Sequence, residues 1–310
     1  MAKIVIVGAG SVGVTIAYTL QLSGTATEII LIDRDKEKAQ GEALDMSHGL
    51  PFVPPVRISA GDYPDCADAS VIIITAGARQ KQGESRRELV DRNADICKSI
   101  IDNIMCYTTS AVLLMVTNPV DVMTFVALTH SHLSPGQVIG SGTVLDSARF
   151  RYLISRHCDI DPRNVHAYVL GEHGDSEVLL WSQVRLGGTP LETFCCRCAR
   201  GCGPINKTMI EEDVKKAAYK IIAAKGATNY GVALATSRIV SALVRNENSV
   251  LTVSTLLTGQ YGISGCCMSV PCIVHSRGIE RIIETELHAE ETAALRRSAS
   301  LLREMCERFG

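Results

Sequence analysis

The chain has 310 residues, of which 46% are hydrophobic and 21% charged, and its 31 basic and 33 acidic residues nearly balance. This balance excludes the basic surface of a nucleic-acid-binding protein and the polybasic anchor of a membrane-surface protein. The longest apolar runs, such as 71–78, are too short to cross a bilayer, and we expect no signal peptide before the first strand. We therefore expect a cytoplasmic protein with no nucleic-acid or membrane partner.

The first half alternates short apolar strands with helical segments. We predict helices over 11–23 and over the charged segment around 36–44, and strands over 3–8, 28–33, 56–61, 69–75, 111–117 and 137–142. Continuous β-branched runs separated by helices are typical of a parallel sheet that is covered on both faces. The predicted fold class is therefore α/β, with a doubly wound, six-stranded parallel Rossmann sheet.

The second half mixes strands and helices. Strands are predicted over 164–171, 177–186, 250–257 and 267–274, and helices over 211–225, 228–245 and 288–308. The last helix carries its apolar stripe on Leu295, Ala299 and Leu302. A chain of this length exceeds the usual size of one core, so we expect two domains. Residues 1–143 form the predicted dinucleotide-binding domain, and 144–310 form a mixed α+β substrate domain.

A glycine-rich turn, GAGSVG, lies between the first predicted strand and the first predicted helix. Gly8 permits the tight turn, Gly10 lets a pyrophosphate approach the backbone, and Gly13 lets the helix pack closely on the strand. Asp33 follows Gly13 by 20 residues, at the end of the second strand. Its carboxylate can accept hydrogen bonds from a ribose and would repel a 2′-phosphate, which favours NAD over NADP.

Two charged clusters in the second half carry side chains suited to acid–base chemistry. GEHGD, at 171–175, places His173 among glycines and carboxylates, and LDSARF, at 145–150, supplies Asp146 and Arg149. A histidine can donate or accept the proton that accompanies hydride transfer, and a carboxylate can fix its tautomer. Arg149 has the planar fork that binds a carboxylate. The alternative is an ordinary core or surface histidine.

The twelve cysteines are unevenly distributed. Four of them crowd the segment CCRCARGC, namely Cys195, Cys196, Cys198 and Cys202, and Cys266 and Cys267 form a further pair. A zinc site of four thiolates usually needs two CxxC knuckles, and the sequence has no second one to pair with Cys195 and Cys198. We therefore expect no metal and reduced thiols, in an exposed basic loop at 195–202.

From Lys3 to Cys306 the sequence resembles the lactate and malate dehydrogenase family. The matching segments are GAGSVG, Asp33, AGARQKQGESR at 76–86, TNPVD at 117–121, LDSARFRYL at 145–153, GEHGDS at 171–176 and KGATNYG at 225–231. The resemblance implies hydride transfer between NAD and a small 2-hydroxy acid.

The resemblance also assigns roles at the reacting centre. His173 would donate the proton to the ketone oxygen with Asp146 as its partner, and Arg149 would hold the substrate carboxylate. Arg86, on a mobile loop, would close over the substrate and polarise its carbonyl.

Further roles implied by the resemblance concern the cofactor and the pocket wall. Asn118 would contact both the carbonyl and the nicotinamide, and Thr228 would line the pocket near the substrate's side chain. Arg79 would lie near the cofactor phosphates, and Val12 would join the three glycines of the turn in the cofactor site.

Gln80 is the residue that bears most on substrate choice. Malate dehydrogenases of this family carry arginine at the matching position, which can pair with the second carboxylate of a diacid. A neutral Gln80 favours lactate and pyruvate, since an unpaired buried charge costs several kcal/mol. Malate remains an alternative substrate, because Arg79 or Lys81 could turn inward. Branched 2-hydroxy acids remain a second alternative, because the sequence does not show the width of the pocket. A non-catalytic NAD-binding module is a third alternative, but it would not need His173 and its partners.

Arg151 and His166 match positions that bind fructose 1,6-bisphosphate in the bacterial enzymes that the chain resembles. There, one pair from each of two subunits converges across a two-fold axis on the doubly phosphorylated sugar. The alternative is that both are ordinary interface residues. The resemblance further implies a homo-oligomer, with a tetramer expected, that reduces pyruvate at the end of glycolysis.

Overall fold

The structure is a computed structural model that describes residues 2–78, 86–197 and 203–309. Within these ranges no helix combines the length and apolar character needed to cross a membrane.

Six parallel strands form the centre of the molecule. They are β1 Lys3–Val7, β2 Glu28–Ile32, β3 Arg57–Ala60, β4 Val71–Ile74, β5 Val112–Met115 and β6 Val138–Gly140. Their spatial order is β3-β2-β1-β4-β5-β6, so the connections reverse direction between β1 and β4. In such a sheet ligands bind at the carboxyl ends of the strands, beside the reversal point. The predicted six-stranded doubly wound fold is confirmed.

The sheet continues beyond β6 with three antiparallel strands from the second half. They are β12 Ser249–Thr258, β13 Ser264–His275 and β14 Gly278–Ile282. β12 joins β6 where Ser254 pairs with Gly140, and β13 and β14 follow in a meander. The two halves of the chain therefore share one nine-stranded sheet. β14 was not predicted, because GIERI has two charged residues among five.

Helices cover both faces of this sheet. Their bounds are α1 Ser11–Ser23, α2 Lys36–His48, α3 Arg86–Met105, α4 Val120–Ser131, α5 Val144–Cys158, α6 Leu191–Cys196, α7 Lys207–Lys225, α8 Tyr230–Val244 and α9 Ala289–Cys306. The predicted stripe of α9 is buried at Leu295, Ala299 and Leu302. α4 is buried on nearly every side and so shows no amphipathic pattern.

Two predicted strands of the second half are wrong in length. Segment 164–171 contains only β7 Val165–His166 and β8 Val169–Leu170, which pair with different partners. The carbonyl oxygen of Ala167, between them, accepts a hydrogen bond from the Arg151 side chain and not from a neighbouring strand. Segment 177–186 is likewise divided into β9 Val178–Leu179 and β10 Arg185–Leu186 by a 3₁₀ turn. The short strand β11 Thr189–Pro190, which was not predicted, pairs with β10.

Two cysteines of the segment 195–202 depart from the expected loop. Cys195 and Cys196 end helix α6, so this part of the predicted loop is helical, and Cys195 is half-buried against the second-half core. Cys198 and Cys202 lie outside the described residues. The pair Cys266 and Cys267 is fully buried in β13, and burial raises the pKa of Cys266 to about 11. Buried thiols of this kind are poor nucleophiles.

Candidate active site

The glycine turn forms an open cradle at the carboxyl end of β1. Gly8 has φ +113°, and a Cβ there would lie 2.6 Å from the Ala76 amide nitrogen. A Cβ on Gly13 would collide with the Gly8 carbonyl oxygen, whereas one on Gly10 would meet no atom of the described residues within 4 Å. Within the described ranges, no side chain caps the amides at the start of α1. The turn thus presents free N–H groups to open space at a helix N-terminus, which suits a phosphate.

Asp33 lies beside this turn, one residue beyond the end of β2. Its Oδ2 accepts a hydrogen bond from the Ala9 amide at 2.7 Å, and its Oδ1 accepts one from the Asp35 amide at 3.0 Å. These bonds fix the carboxylate next to the cradle. Each oxygen has a further lone pair that could accept from a ribose hydroxyl.

His173, Asp146 and Arg149 meet as a hydrogen-bonded group. The Nδ1 atom of His173 lies 2.6 Å from Oδ2 of Asp146, and NH1 of Arg149 donates to Oδ1 of Asp146 at 2.5 Å. Asp146 and Arg149 are one turn apart on α5, so both point to the same side of the helix. The Asp146 side chain is 2% exposed, while those of Arg149 and His173 keep 17% and 26%. The buried carboxylate therefore orients two partly accessible side chains.

The backbone that carries His173 is held by three separate elements. The Gly171 amide donates to the Ser269 carbonyl oxygen on β13. The Glu172 amide donates to Ser298 Oγ on α9 at 2.9 Å. The His173 amide donates to Asp121 Oδ2 on α4 at 2.7 Å. Such bonding leaves the turn little freedom to change the direction of the imidazole.

Surrounding charges favour the protonated imidazole. Burial disfavours the charged form of His173, but the attraction and hydrogen bond of Asp146 outweigh it and raise the pKa to about 9. Burial also opposes ionisation of Asp146, yet His173 and Arg149 hold its pKa below the ordinary value. Burial raises the pKa of Asp121 to about 6 and, with repulsion from Asp146, that of Glu177 to about 8. The site is thus poised as an imidazolium–carboxylate pair at neutral pH.

A cavity of about 310 Å³ joins the glycine turn to the histidine. Its wall includes Val12 of α1, Asn118 after β5, and Arg149, His173 and Thr228 from the second half. Leu145, Ile222, Val232 and Ala235 add apolar surface. The cavity is large enough for a small organic acid beside a nicotinamide ring, and it combines apolar walls with a few polar groups, as binding sites do.

Asn93 is a lining residue that sequence reasoning missed. It lies on α3, is 3% exposed and bridges two parts of the wall: its Oδ1 accepts from the Ala78 amide at 2.7 Å and its Nδ2 donates to the Asn118 carbonyl at 3.0 Å. Asp121 and Ser298 were missed as well. The available signal was a polar residue within an otherwise apolar helical stripe, since Asn93 lies between the buried Val90 and Cys97.

Three predicted site residues lie wholly or partly outside the described structure. Arg79 and Gln80 are not described, and of Arg86 only the backbone is described, as the first residue of α3. Asn93 follows on the same helix two turns later and lines the cavity. This helix therefore begins at the predicted substrate loop and reaches the cavity wall.

The two predicted regulatory residues lie away from the cavity. Arg151 donates from Nε to the Ala167 carbonyl at 3.0 Å, and its guanidinium lies 5.3 Å from the Tyr168 ring centroid. His166 is exposed on β7. The bond to Ala167 places the Arg151 side chain beside the segment that carries His166.

A dinucleotide cradle and a histidine–carboxylate pair on one cavity define a nicotinamide-dependent oxidoreductase. Residues 2–140 match the family model "lactate/malate dehydrogenase, NAD binding domain", and residues 143–309 match the model of the alpha/beta C-terminal domain of the same family. The chain belongs to the lactate/malate dehydrogenase family.

Individual relatives resemble the chain over nearly its whole length. An L-lactate dehydrogenase of Acetivibrio thermocellus is 54% identical over 98% of this chain and 96% of its own length. The solved structure of a lactate dehydrogenase from a Medee basin deep-sea metagenome library has a TM-score of 0.97 and 43% identity, over 99% of this chain and 98% of that one. The structure of the minor L-lactate dehydrogenase of Enterococcus mundtii, solved with ligands bound, has a TM-score of 0.96 and 40% identity, over 100% of this chain and 98% of that one.

Proposed function

We propose that the protein is an NAD-dependent L-lactate dehydrogenase that interconverts pyruvate and (S)-lactate. The observation that carries this proposal is the His173–Asp146 pair, which opens onto the cavity shared with the glycine-turn helix. The relatives named L-lactate dehydrogenase support the same reaction.

The cofactor site is proposed to comprise the three glycines of the turn, Val12, Asp33, Asn118 and Arg79. Open space above Gly10 fits a pyrophosphate, and the fixed Asp33 carboxylate fits the adenosine ribose. NAD, when bound, supplies the hydride acceptor or donor. Residues 1–143 are the proposed cofactor domain and 144–310 the proposed substrate domain.

His173 is the proposed proton donor to the ketone oxygen of pyruvate and the acceptor in lactate oxidation. Its Nδ1 is bonded to Asp146, so Nε2 is the atom left to face substrate. Asp146 stabilises the imidazolium that is needed before reduction and that is restored during oxidation. The proton is therefore held on a fixed nitrogen in the direction set by the turn.

Arg149 is the proposed binding partner of the substrate carboxylate. Its NH1 is used by Asp146, and a guanidinium has further N–H donors in the same plane. Arg86 is proposed to polarise the carbonyl, where negative charge develops in the transition state. Thr228 and Gln80 are proposed to contact the substrate's methyl end, where a neutral Gln80 favours pyruvate over a diacid.

Assembly and regulation are further parts of the proposal. We infer a homotetramer in the cytoplasm, with pyruvate reduction in fermentative glycolysis as its role. Fructose 1,6-bisphosphate is the proposed activator, bound by Arg151 and His166 from two subunits. The proximity of the Arg151 side chain to the His166 segment supports this pairing.

A single substrate comparison tests the proposed reaction. NADH oxidation is followed with pyruvate, oxaloacetate and a branched 2-oxo acid under identical conditions, with and without fructose 1,6-bisphosphate. The highest kcat/KM with pyruvate supports the proposal. A preference for oxaloacetate would indicate a malate dehydrogenase, and a preference for the branched acid would indicate a dehydrogenase of branched 2-hydroxy acids. No turnover of any acid would indicate a protein that binds NAD without catalysis.

A further inference from the structure

Ser298 on the C-terminal helix touches the turn of His173 through a chain of hydrogen bonds. Its Oγ accepts from the Glu172 amide at 2.9 Å and lies 2.9 Å from Oγ of Ser176, which in turn donates to Oε2 of Glu172 at 2.5 Å. Ser298 is fully buried, although it lies among the apolar residues of α9. A buried hydroxyl at such a position needs partners, and those in the described residues, the Glu172 amide and the Ser176 hydroxyl, both belong to segment 171–176.

The direction of each bond follows from proton counting. Ser176 has one hydroxyl proton and gives it to the Glu172 carboxylate, so the proton between the two serines must come from Ser298. Ser298 therefore donates to Ser176 and accepts from the Glu172 amide, and both functions of its hydroxyl are used. Alanine at 298 would remove both bonds and leave the Glu172 amide buried without this acceptor.

Room for this contact is provided by Gly171. Its φ is +94°, and a Cβ there would lie 2.9 Å from Ser298 Oγ. The peptide that precedes Glu172 can thus approach α9 only because residue 171 has no side chain. The helix α9 is therefore the element that this glycine approaches.

We propose that Ser298 is a positioning residue, which holds the turn at 171–173 against α9 so that the His173 imidazole stays aligned with Asp146. The inference rests on the proposed proton transfer by His173. Asp121 fixes the amide of His173 from α4, and Ser298 fixes the preceding amide from α9. Loss of the Ser298 bond leaves the turn with its bonds to Asp121 and Ser269, about which it can rotate, and this rotation lengthens the 2.6 Å bond from His173 Nδ1 to Asp146.

The test measures the protonation of His173. In the described part of the chain, the charged or titratable groups that face it are Asp146 with Arg149 on α5, Asp121 on α4 and Glu177, which itself faces Lys215 on α7. None of these changes in Ser298→Ala. A weaker bond to Asp146 lowers the pH at which His173 loses its proton. As pH is raised, the decline of kcat/KM for pyruvate therefore begins at a lower pH than in the parent. For lactate oxidation, kcat/KM increases as pH is raised, because the neutral imidazole accepts the proton in that direction, and the midpoint of this increase also moves to lower pH.

We expect Ser298→Ala to move both midpoints to lower pH by about half a unit or more, at saturating cofactor. Ser300→Ala is the matched control, since this exposed serine of the same helix bonds, among the described residues, to the Arg296 carbonyl of its own helix and not to the turn. Its midpoints should equal the parent's. An unchanged profile in Ser298→Ala, even with reduced stability, or an equal shift in Ser300→Ala, overturns the inference.

Two further measurements keep the inference testable. If Ser298→Ala does not fold, Ser298→Cys keeps a weak donor and acceptor, and it should shift the midpoints in the same direction by less; an unshifted profile would again overturn the role. NMR titration of isotope-labelled histidine, assigned with His173→Asn, reports the same protonation without turnover. A parent enzyme inactive on pyruvate would remove the proposed function, while the titration would still decide the role of Ser298.

Discussion

The carboxylate of Asp146 lies 2.6 Å from the imidazole of His173, although the two residues are 27 positions apart and belong to different elements. α5 presents the carboxylate, and a turn fixed by three other elements presents the ring. Because Asp146 is almost completely buried, its charge is poorly screened by water, and the pair is an imidazolium–carboxylate pair at neutral pH.

The first prediction concerns His173 itself. His173→Asn should lower kcat for pyruvate reduction by about 10²- to 10⁴-fold, the usual contribution of a general acid. The Kd for NADH, measured by nucleotide fluorescence, should change little, because the glycine turn and Asp33 are untouched. His130→Asn, at a histidine paired with Asp102 on the surface, is the control. Near-normal turnover in His173→Asn would assign proton transfer to another group.

The second prediction is the pH dependence set by Asp146. In the parent, pyruvate reduction should decline as pH rises through about 9, where His173 loses its proton. Asp146→Asn removes the charge that raises this pKa, while burial, which lowers it, remains. The decline should therefore occur at lower pH, with a strongly reduced kcat/KM at neutral pH. Coincident pH profiles for the two enzymes would contradict the role of the pair.

The third prediction tests substrate choice. With Gln80 neutral, kcat/KM for pyruvate should exceed that for oxaloacetate by roughly a hundredfold, or about 2.7 kcal/mol. Gln80→Arg should move the preference toward oxaloacetate by supplying a cation for its second carboxylate. Gln82→Arg adds the same charge two residues away and should leave the preference as in the parent. Equal rates of the parent enzyme on both acids would refute the argument from Gln80.

The fourth prediction concerns stability and Glu177. This residue is 4% exposed, and its Oε1 has no hydrogen-bond partner in the described part of the chain. Burial raises its pKa from 4.5 to about 8, so between these values the folded state holds a proton that the unfolded state has lost. The contribution of Glu177 to the free energy of unfolding must therefore decrease as pH rises from about 4.5 to about 8.

Glu177→Gln removes this pH dependence. The free energy of unfolding of the variant, relative to the parent, should increase steadily from pH 5 to pH 8, as measured by urea denaturation. Exposed Glu304→Gln on α9 is the control and should show no such trend. A constant difference between Glu177→Gln and parent across this range would mean that Glu177 is ionised throughout.

The fifth prediction concerns activation. Fructose 1,6-bisphosphate should lower the apparent KM for pyruvate at neutral pH by about 5- to 150-fold, the usual range of allosteric coupling. Arg151→Gln and His166→Gln should each abolish the response. Arg297→Gln, which removes an exposed charge on α9, should retain it. A saturation curve that the sugar phosphate leaves unchanged in the parent would exclude activation.

The sequence determined the architecture of the first half. β-branched runs such as Lys3–Val7 are buried on both faces, and α1 begins and ends where the glycine turn and the residues after it predict. These features depend on local preference and on the period of burial, which a sequence displays directly. The short motifs containing Asp146, Arg149 and His173 likewise predicted side chains that the structure brings together, because their chemistry is unusual at such spacing.

Only the tertiary structure decided what holds these side chains in place. The acceptor for the His173 amide comes from Asp121, 52 residues away, and the acceptor for the Glu172 amide from Ser298, 126 residues away. Nothing periodic marks such partners, since a hydrogen bond depends on how the sheet, α4 and α9 pack and not on the spacing of residues along the chain. The extension of the parallel sheet by β12–β14 was equally a matter of packing, because the edge of β6 can pair with any strand that the fold brings beside it.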